Sequence, residues 1–372
     1  MEKKPLFLYP PTVYIFDREY QIMVPFDVPT LFWVKVGKET YYDHFAGVMK
    51  TDCRVHRVSV PQEKLDAAGA YTVCYRHMPE RPPYNPPSED TVETTYTFRP
   101  IPKGTAKFYH LSDVHDCIDL AIEAAGHMPE YDGLILNGDI PNHSGEREYL
   151  LEMLRLSGTL GKGEIPSIFT RGNHDTRGFY GEHFGEYCPH KEGRTYYTFQ
   201  VGDIWGICLD CGEDKDDTCE AYGYTSCYHP FRLAQTEFIK NVIANADKEY
   251  NAPGVKHKFV VCHAPFSHVS PPPFDIEQEL YTEWCKLIGE HIQPELFIAG
   301  HTHKVGLFEE GGELDQLGQF CPIIVGGKPL KKASLALAGT AYTITETEIH
   351  AVINEADGTI LGDYTLKVGE TK

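Results

Sequence analysis

The chain has 372 residues, of which 41% are hydrophobic and 24% are charged. These values are typical of globular proteins, and the length is sufficient for two domains. Its 34 basic and 54 acidic residues give a net charge of −20, which argues against non-specific binding to nucleic acid or to an anionic membrane. The sequence has no run of about 18 apolar residues, so membrane insertion is not predicted. A small phosphorylated substrate stays possible, because bound metal ions can reverse the local sign of the charge.

The first residues and the cysteines bear on the compartment. No apolar stretch follows the lysines at the start of the sequence, so no signal peptide is predicted. The 11 cysteines are scattered and odd in number, which favours a reducing compartment. We therefore expect a cytoplasmic protein, with secretion after upstream processing as the alternative. Cys211, Cys219 and Cys227 are predicted to be free thiols rather than a disulfide or a zinc site.

Residues 1–101 are predicted to be all-β. Short β-branched and aromatic runs alternate with period two and are separated by turn residues, as in a small β-sandwich. The proline-containing stretch from Arg99 to Gly104 predicts a stiff linker. We therefore predict two domains, a β-sandwich at 1–101 and a second domain at 105–372.

The second domain alternates predicted strands with predicted helices, which indicates an α/β layered fold. The strands begin at Ala106, Gly133, Ile165, Lys258 and Leu296. The clearest amphipathic helix is predicted from Leu233 to Tyr250.

Polar side chains follow each of these five strands. They are Asp113 and His115, then Asp139, then Arg171-Gly172-Asn173-His174-Asp175, then His263, then His301 and His303. Ligands of α/β sheets bind beyond the carboxyl ends of the strands, so we expect these side chains to meet at one edge. In the third stretch, Gly172 is expected to take a positive φ.

Carboxylate, amide and imidazole groups together suit borderline divalent ions such as Mn, Fe, Zn or Co better than Ca or Mg. Two such ions about 3.5–4 Å apart could clamp the oxygens of an in-line displacement and supply hydroxide near neutral pH. The sequence therefore predicts a dinuclear metal centre.

The five stretches, in this order, resemble the motifs of the calcineurin-like metallophosphoesterase family. The resemblance spans residues 113–303 and implies a metallophosphoesterase β-sandwich flanked by helices, here preceded by a small all-β sandwich. It implies that the first metal is held by Asp113, His115 and His303, and the second by Asn173, His263 and His301, with Asp139 bridging both. It also implies that His174 faces substrate as a catalytic residue and that Asp175 orients the His174 ring.

Three further residues are tentative substrate-binding candidates. Arg171 either binds a phosphoryl oxygen or pairs with an acid, Arg177 either binds substrate or is exposed, and Asn142 either reaches substrate or forms a turn. The long stretches 178–191 and 211–230 are expected to act as walls or lids that set specificity. Four histidines are weaker candidates for substrate contact: His183, His190, His229 and His268.

The layout also resembles purple acid phosphatases, with two departures. That group has Gly where His115 stands, and a metal-bound Tyr where Asn142 stands, so its colour is not expected here. The N-terminal domain is expected to be fibronectin type III-like or immunoglobulin-like. We predict a phosphatase or phosphodiesterase that hydrolyses a phosphomonoester or small phosphodiester by metal-activated hydroxide. The alternative is a catalytically silent binding scaffold, and the oligomeric state is left open.

Overall fold

The structure is a computed structural model that describes residues 6–87, 89–128, 130–327 and 337–369. Six α-helices lie in these ranges: α1 (Gln62–Ala68), α2 (Ile118–Gly126), α3 (Arg147–Gly161), α4 (Phe184–Tyr187), α5 (Tyr228–Ala244) and α6 (Gln278–Leu287). None of the helices described is long and apolar enough to cross a membrane.

Twenty-one strands account for most of the remaining regular structure of the described ranges. They are β1 (Thr12–Phe16), β2 (Glu19–Pro25), β3 (Thr30–Val36), β4 (Glu39–Tyr42), β5 (His44–Phe45), β6 (Val48–Met49), β7 (Val55–Pro61), β8 (Ala70–His77), β9 (Val92–Thr97), β10 (Ala106–Leu111), β11 (Gly133–Asn137), β12 (Pro166–Thr170), β13 (Tyr197–Val201), β14 (Ile204–Leu209), β15 (His257–Cys262), β16 (Leu296–Ala299), β17 (Gly306–Phe308), β18 (Ile323–Val325), β19 (Ala338–Ile344), β20 (Glu348–Glu355) and β21 (Ile360–Lys367).

Two mixed sheets form the centre of the molecule. The first has nine strands in the order β21-β20-β19-β10-β11-β12-β1-β2-β7, and β10, β11 and β12 within it are parallel. The second has six strands in the order β13-β14-β15-β16-β18-β17, with β14, β15, β16 and β18 parallel. Every residue of β11, β12 and β14 is buried, as expected for strands that are covered on both faces.

The two sheets share one apolar core and carry helices on their outer faces. Ile135 and Ile168 of the first sheet pack in the same cluster as Val261 and Ile298 of the second. Helices α2 and α3 cover the first sheet, while α5 and α6 cover the second. The layered α/β class predicted from the sequence is confirmed, and all five parallel strands that precede the polar stretches are present.

The N-terminal region is rich in β-structure, as predicted, but its strands are divided between sheets. Strands β1, β2 and β7 extend the nine-stranded sheet, because β1 pairs in parallel with β12. Strands β4, β3, β8 and β9 form a separate four-stranded sheet. The nine-stranded sheet thus contains strands from both sides of the predicted boundary. The division of the chain into domains at 1–101 and 105–372 stays a prediction.

The amphipathic helix α5 begins earlier and ends earlier than the prediction of Leu233–Tyr250. Its start is stabilised from a distance: the Asp217 carboxylate accepts the backbone N–H groups of Tyr228, at 2.7 Å, and His229, at 2.8 Å. These are two of the N–H groups that a helix start leaves without an internal partner.

Candidate metal centre

The polar residues predicted from the five strand ends meet at one edge between the two sheets. Asp113 and His115 follow β10, Asp139 follows β11, Asn173 follows β12, His263 follows β15, and His301 and His303 follow β16. Six of these residues and His174 form three overlapping groups, and in each group the donor atoms lie within 4.8 Å of one another: Asp113, His115 and His303; His115, Asp139 and His174; and Asp139, His263 and His301. The seventh, Asn173, has its amide oxygen 2.8 Å from His301 Nδ1. The edge therefore collects all seven predicted metal ligands.

One group consists of Asp113, His115 and His303. His303 Nε2 lies 3.0 Å from Asp113 Oδ1 and 3.3 Å from His115 Nε2. Three donor atoms from two strand ends of different sheets thus face a common point.

A second group consists of Asp139, His263 and His301. His263 Nε2 lies 3.2 Å from Asp139 Oδ2, and His301 Nδ1 lies 2.8 Å from the Asn173 amide oxygen Oδ1. Asn173 therefore extends this group by a fourth donor.

Asp139 belongs to the second group and also approaches His115 of the first. Its Oδ2 is 3.2 Å from His263 Nε2 and 3.9 Å from His115 Nε2, while its Oδ1 accepts the backbone N–H of His174 at 2.7 Å. One carboxylate oxygen is thus shared by both groups, and the other is held by the backbone.

The backbone at this edge is strained. Five of the ligand candidates have φ between 44° and 65°, a left-handed conformation that side chains with a Cβ rarely adopt: Asp113, His115, Asp139, His301 and His303. Such conformations cost on the order of 1–3 kcal/mol each and cluster at functional sites.

Glycines let the loops after β11 and β12 pack together. Gly138 has a φ of 76°, and a Cβ there would collide with the Gly172 backbone. Gly172 does not have the positive φ predicted from the sequence. It is required for another reason, because a Cβ at Gly172 would overlap the Asp139 carboxylate.

A second layer of hydrogen bonds fixes the orientation of two ligand candidates. His263 Nδ1 donates to the backbone oxygen of Asn137 at 2.7 Å, which leaves Nε2 facing Asp139. The Asn173 Nδ2 group donates to Asp214 Oδ2 at 3.3 Å, so the amide oxygen faces His301. Outer partners of this kind set the tautomer and the angle of metal ligands.

The donor set fits divalent metal ions. His263 Nε2 is buried and has no hydrogen-bond partner of ordinary geometry within the described ranges, although Asp139 Oδ2 lies 3.2 Å away. Buried polar atoms normally have partners, so this nitrogen has capacity for a ligand that a protein group does not supply.

The buried charges perturb one another. Burial alone would lower the pKa of His263, but the carboxylates of Asp139 and Asp113 raise it to about 10. Burial would raise the pKa of Asp113, whereas the imidazoles of His263 and His303 lower it below its ordinary value. The pKa of His301 is lowered to about 4, first by burial and then by His263. In the metal-free protein a proton on His263 thus balances charge that a metal ion would balance.

His174 has different neighbours from those expected. Its Nδ1 donates to the backbone oxygen of Asn142 at 2.8 Å, and its Nε2 accepts an N–H of Arg177 at 2.7 Å. The ring contacts His115 edge to face, with 4.8 Å between centroids. The imidazole is therefore neutral, with its proton on Nδ1.

The prediction that Asp175 orients the His174 ring is wrong, because no hydrogen bond joins the two side chains in the described part of the chain. Asp175 is fully buried and accepts three backbone N–H groups, from Gly172 at 2.7 Å, Ile140 at 3.1 Å and Asp139 at 3.2 Å. Burial and the nearby Asp139 carboxylate raise the pKa of Asp175 to about 8. Asp175 ties the loops after β11 and β12 together, and it is the Asn142 carbonyl that orients His174.

Arg171 takes the second of its two predicted roles. Its Nε lies 2.9 Å from Asp210 Oδ2, and its guanidinium lies within 6 Å of three aromatic rings, those of Phe184, Tyr228 and Phe231. Burial alone would lower the pKa of Arg171, but the Asp210 carboxylate raises it. Arg171 therefore stabilises the wall behind the centre.

Arg177 is neither exposed nor free. It makes a salt bridge to Glu213 at 2.8 Å and another to Asp214 at 3.0 Å, in addition to its contact with His174. The expectation that stretch 211–230 forms a wall of the site is met at these two acids. For Asn142, the backbone rather than the side chain makes the described contacts, since its N–H also donates to Asp116 at 3.0 Å.

A small cavity of about 50 Å³ adjoins the second group. Asn173 and His301 line it together with Asp214, His268 and Phe274. His183 and His190 line a different cavity, and His229 pairs with Glu277 at 2.9 Å. Of the four weaker histidine candidates, His268 alone is placed beside the centre.

Sequence reasoning missed two groups that support the centre. The backbone carbonyl of Asn137 accepts a hydrogen bond from His263 Nδ1, and its side-chain amide donates to the carbonyls of Cys262 and Ile298 in the other sheet, at 3.3 and 3.2 Å. Asp214 fixes Asn173. Asn137 precedes the Gly138-Asp139 stretch and could have been suspected, whereas nothing in the sequence around Asp214 distinguishes it from a surface acid.

Comparisons with known proteins agree with this geometry. The calcineurin-like phosphoesterase family model matches residues 106–305, more than half of the chain. A purple acid phosphatase from yellow lupin (Lupinus luteus) has a similar fold, with a TM-score of 0.62 at 12% identity over 96% of this chain and 74% of that one. A dimetal phosphatase from Danio rerio superposes with a TM-score of 0.50 at 13% identity over 72% of this chain and 100% of that one.

A comparison with curated protein sequences found no significant match. The two structural similarities, at such low identity, show the fold alone. The family match rests on the segment that contains all five strand-end stretches, and on its evidence this chain belongs to the calcineurin-like phosphoesterase family.

Proposed function

We propose that this protein is a phosphohydrolase that depends on two divalent transition-metal ions, Mn, Fe or Zn. Asp113, His115 and His303 would hold one ion, and Asn173, His263 and His301 the other. The observation that carries the proposal is the position of Asp139, whose Oδ2 lies within 4 Å of an imidazole nitrogen of each group. This position supports the proposal that Asp139 would contribute to holding both ions.

When bound, the two ions would supply Lewis acidity and a hydroxide nucleophile near neutral pH. The chain itself supplies the proton for departure. His174 lies beside His115 and holds its Nδ1 proton against the Asn142 carbonyl. Its Nε2 can therefore take up a proton from solvent and pass that proton to a leaving alkoxide. In the free protein an N–H of Arg177 occupies Nε2, and substrate must displace this contact.

The substrate class follows from charge. A net charge of −20 and the acids Glu213 and Asp214 beside the centre disfavour a long nucleic acid. A phosphomonoester or a small phosphodiester is the proposed substrate. Cytoplasmic location and a fibronectin type III-like N-terminal domain stay predictions.

Turnover of an aryl phosphate and of a bis-aryl phosphate tests the proposal. The metal-free protein should be inactive towards both, and added Mn should restore turnover of at least one. A protein that binds two equivalents of metal and hydrolyses neither ester would instead favour the silent scaffold. A protein that binds no metal would contradict the proposed metal-dependent activity.

A further inference from the structure

A second cluster of metal-ligating side chains lies in the N-terminal region. Asp43 follows β4, Cys53 lies between β6 and β7, and His56 is on β7. Their donor atoms lie within 4.8 Å of one another. None of the three belongs to the centre at the strand ends.

The three donor atoms form a triangle suited to zinc. His56 Nδ1 lies 2.9 Å from Asp43 Oδ2 and 3.4 Å from Cys53 Sγ, and Sγ lies 3.9 Å from Asp43 Oδ2. Tetrahedral zinc with ordinary bond lengths requires separations of about 3.4–3.6 Å between such atoms. Shifts of about half an ångström would bring the triangle to that geometry.

The cluster is rigid on one side. His56 is fully buried and Asp43 is 3% exposed. Phe32 stacks on the His56 ring at 5.3 Å, Phe26 contacts it edge to face at 5.5 Å, and the backbone N–H of Arg57 donates to Asp43 Oδ2 at 3.2 Å. Preorganised ligands of this kind lose little freedom when an ion binds.

The charge around the thiol attracts a cation. Burial raises the pKa of Cys53 to about 12, and the carboxylates of Asp43, Asp52 and Glu186 contribute to this shift. Lys50 opposes it, but its ammonium pairs with the outer oxygen of Asp43, Oδ1, at 3.0 Å and is half exposed. The inner oxygen still faces the imidazole and the thiol.

The other side of the cluster is open. Asp43 and Cys53 line a cavity of about 930 Å³ between the N-terminal strands and the segment that contains α4. A tetrahedral ion held by three protein atoms keeps a fourth position, and here that position faces the cavity.

We propose that Asp43, Cys53 and His56 bind a single zinc-class divalent ion whose fourth position is open to this cavity. On binding, the thiol releases its proton to solvent, and the proton that Nδ1 donates to Asp43 Oδ2 leaves Nδ1, so that the neutral ring keeps a proton on Nε2. The thiolate, the Nδ1 lone pair and Asp43 Oδ2 then bond to the ion. This site is independent of the dinuclear centre and of its proposed activity. A Cys ligand selects zinc over magnesium or calcium.

Cobalt substitution tests the site, because a thiolate ligand gives Co²⁺ a near-ultraviolet charge-transfer band. No cysteine is among the proposed ligands of the dinuclear centre, so the band does not come from that centre, and substitution of Cys53 distinguishes this site from the other cysteines. The reduced, metal-free full chain titrated with Co²⁺ should show the band. It should be absent in Cys53→Ser and retained in the matched control Cys227→Ser, whose thiol is exposed.

The Asp139→Asn variant separates this proposal from the proposed function. It should keep the thiolate band even though the dinuclear centre is impaired. Metal analysis adds a second measure, since Cys53→Ser and His56→Ala should each bind one equivalent of zinc fewer than the parent. A parent protein without the band, or a band that persists in Cys53→Ser, would overturn the proposal, as would equal zinc content in parent and both variants.

Discussion

The two clusters of metal-ligating residues are built in opposite ways. The strand-end centre draws seven residues from five loops of two sheets, across 191 positions from Asp113 to His303, and five of them have a positive φ. The N-terminal cluster comes from 14 consecutive positions, Asp43 to His56, and none of its three residues has a positive φ.

The two clusters therefore differ in backbone strain, which is present at the strand-end centre and absent from the three N-terminal residues. Left-handed backbone at five ligand positions persists only because surrounding structure determines it, here through Asp175, Asn137 and the packed glycines. The N-terminal cluster needs no such support, because a short hairpin brings its residues together. Substitutions should therefore disturb the two clusters independently, and the strand-end centre should be the more sensitive.

The largest effect is expected for Asp139→Asn, which removes the charge shared by both groups while conserving size. Bound metal should fall below two equivalents, and turnover should fall by roughly 10²–10³-fold or more, as for loss of a central electrostatic contact. Metal analysis and initial rates measure this. Asp132→Asn is the control, because the Asp132 carboxylate accepts the Lys107 backbone N–H at 2.8 Å and belongs to neither group. Full activity in Asp139→Asn would contradict the bridging role.

The next effect is expected for His174→Ala. Loss of a proton donor should lower kcat by roughly 10²–10⁴-fold, with metal content unchanged because His174 is not among the proposed ligands. His350→Ala is the matched control, since the His350 side chain is solvent-accessible and lies 2.8 Å from Asp363 on the neighbouring strand. Unchanged kcat in His174→Ala would show that another group donates the proton.

Much of the strand-end centre is predictable because topology is regular. Parallel strands place their carboxyl ends at one edge, so Asp113, Asp139 and His263 could be grouped without coordinates. The hydrogen-bond partners of the side chains at this edge could not be predicted in the same way. Asp175 is adjacent to His174 in sequence, yet its carboxylate is directed towards the backbone of a neighbouring loop, a consequence of packing that neighbour patterns do not encode.

The N-terminal region shows the same limit in the fold. Alternation identifies β1, β2 and β7 as strands but contains no information on their partners, and pairing of β1 with β12 joins residues more than 150 positions apart. The early start of α5 likewise depends on Asp217, which lies 11 positions before Tyr228. Long-range hydrogen bonds determine both features.

A smaller effect, on stability, is expected for Asp175→Asn. The carboxylate accepts three backbone N–H groups, and an amide offers one oxygen and a donor that opposes at least one of them. An unsatisfied buried group costs about 1–3 kcal/mol, measurable by urea unfolding of the metal-free protein above pH 8, where the Asp175 side chain is ionised. Asp363→Asn, which breaks an exposed pair, should cost less than about 1 kcal/mol. Equal costs would remove the argument that Asp175 ties the two loops together.

The smallest effect is a pH dependence confined to the metal-free protein. The pKa of His263 is raised to about 10 from an ordinary value near 6.5, so its stabilising contribution is complete below pH 6.5 and is lost as pH rises through 10. Asp175, with its pKa raised to about 8, acts in the same direction. The urea concentration at the midpoint of unfolding should therefore decrease as the pH rises from 6.5 to 10, and His263→Gln should reduce the slope of this decrease.

Bound metal ions replace the proton on His263, so saturating metal should reduce the slope as well. A slope that is equal with and without metal would mean that His263 is not a ligand.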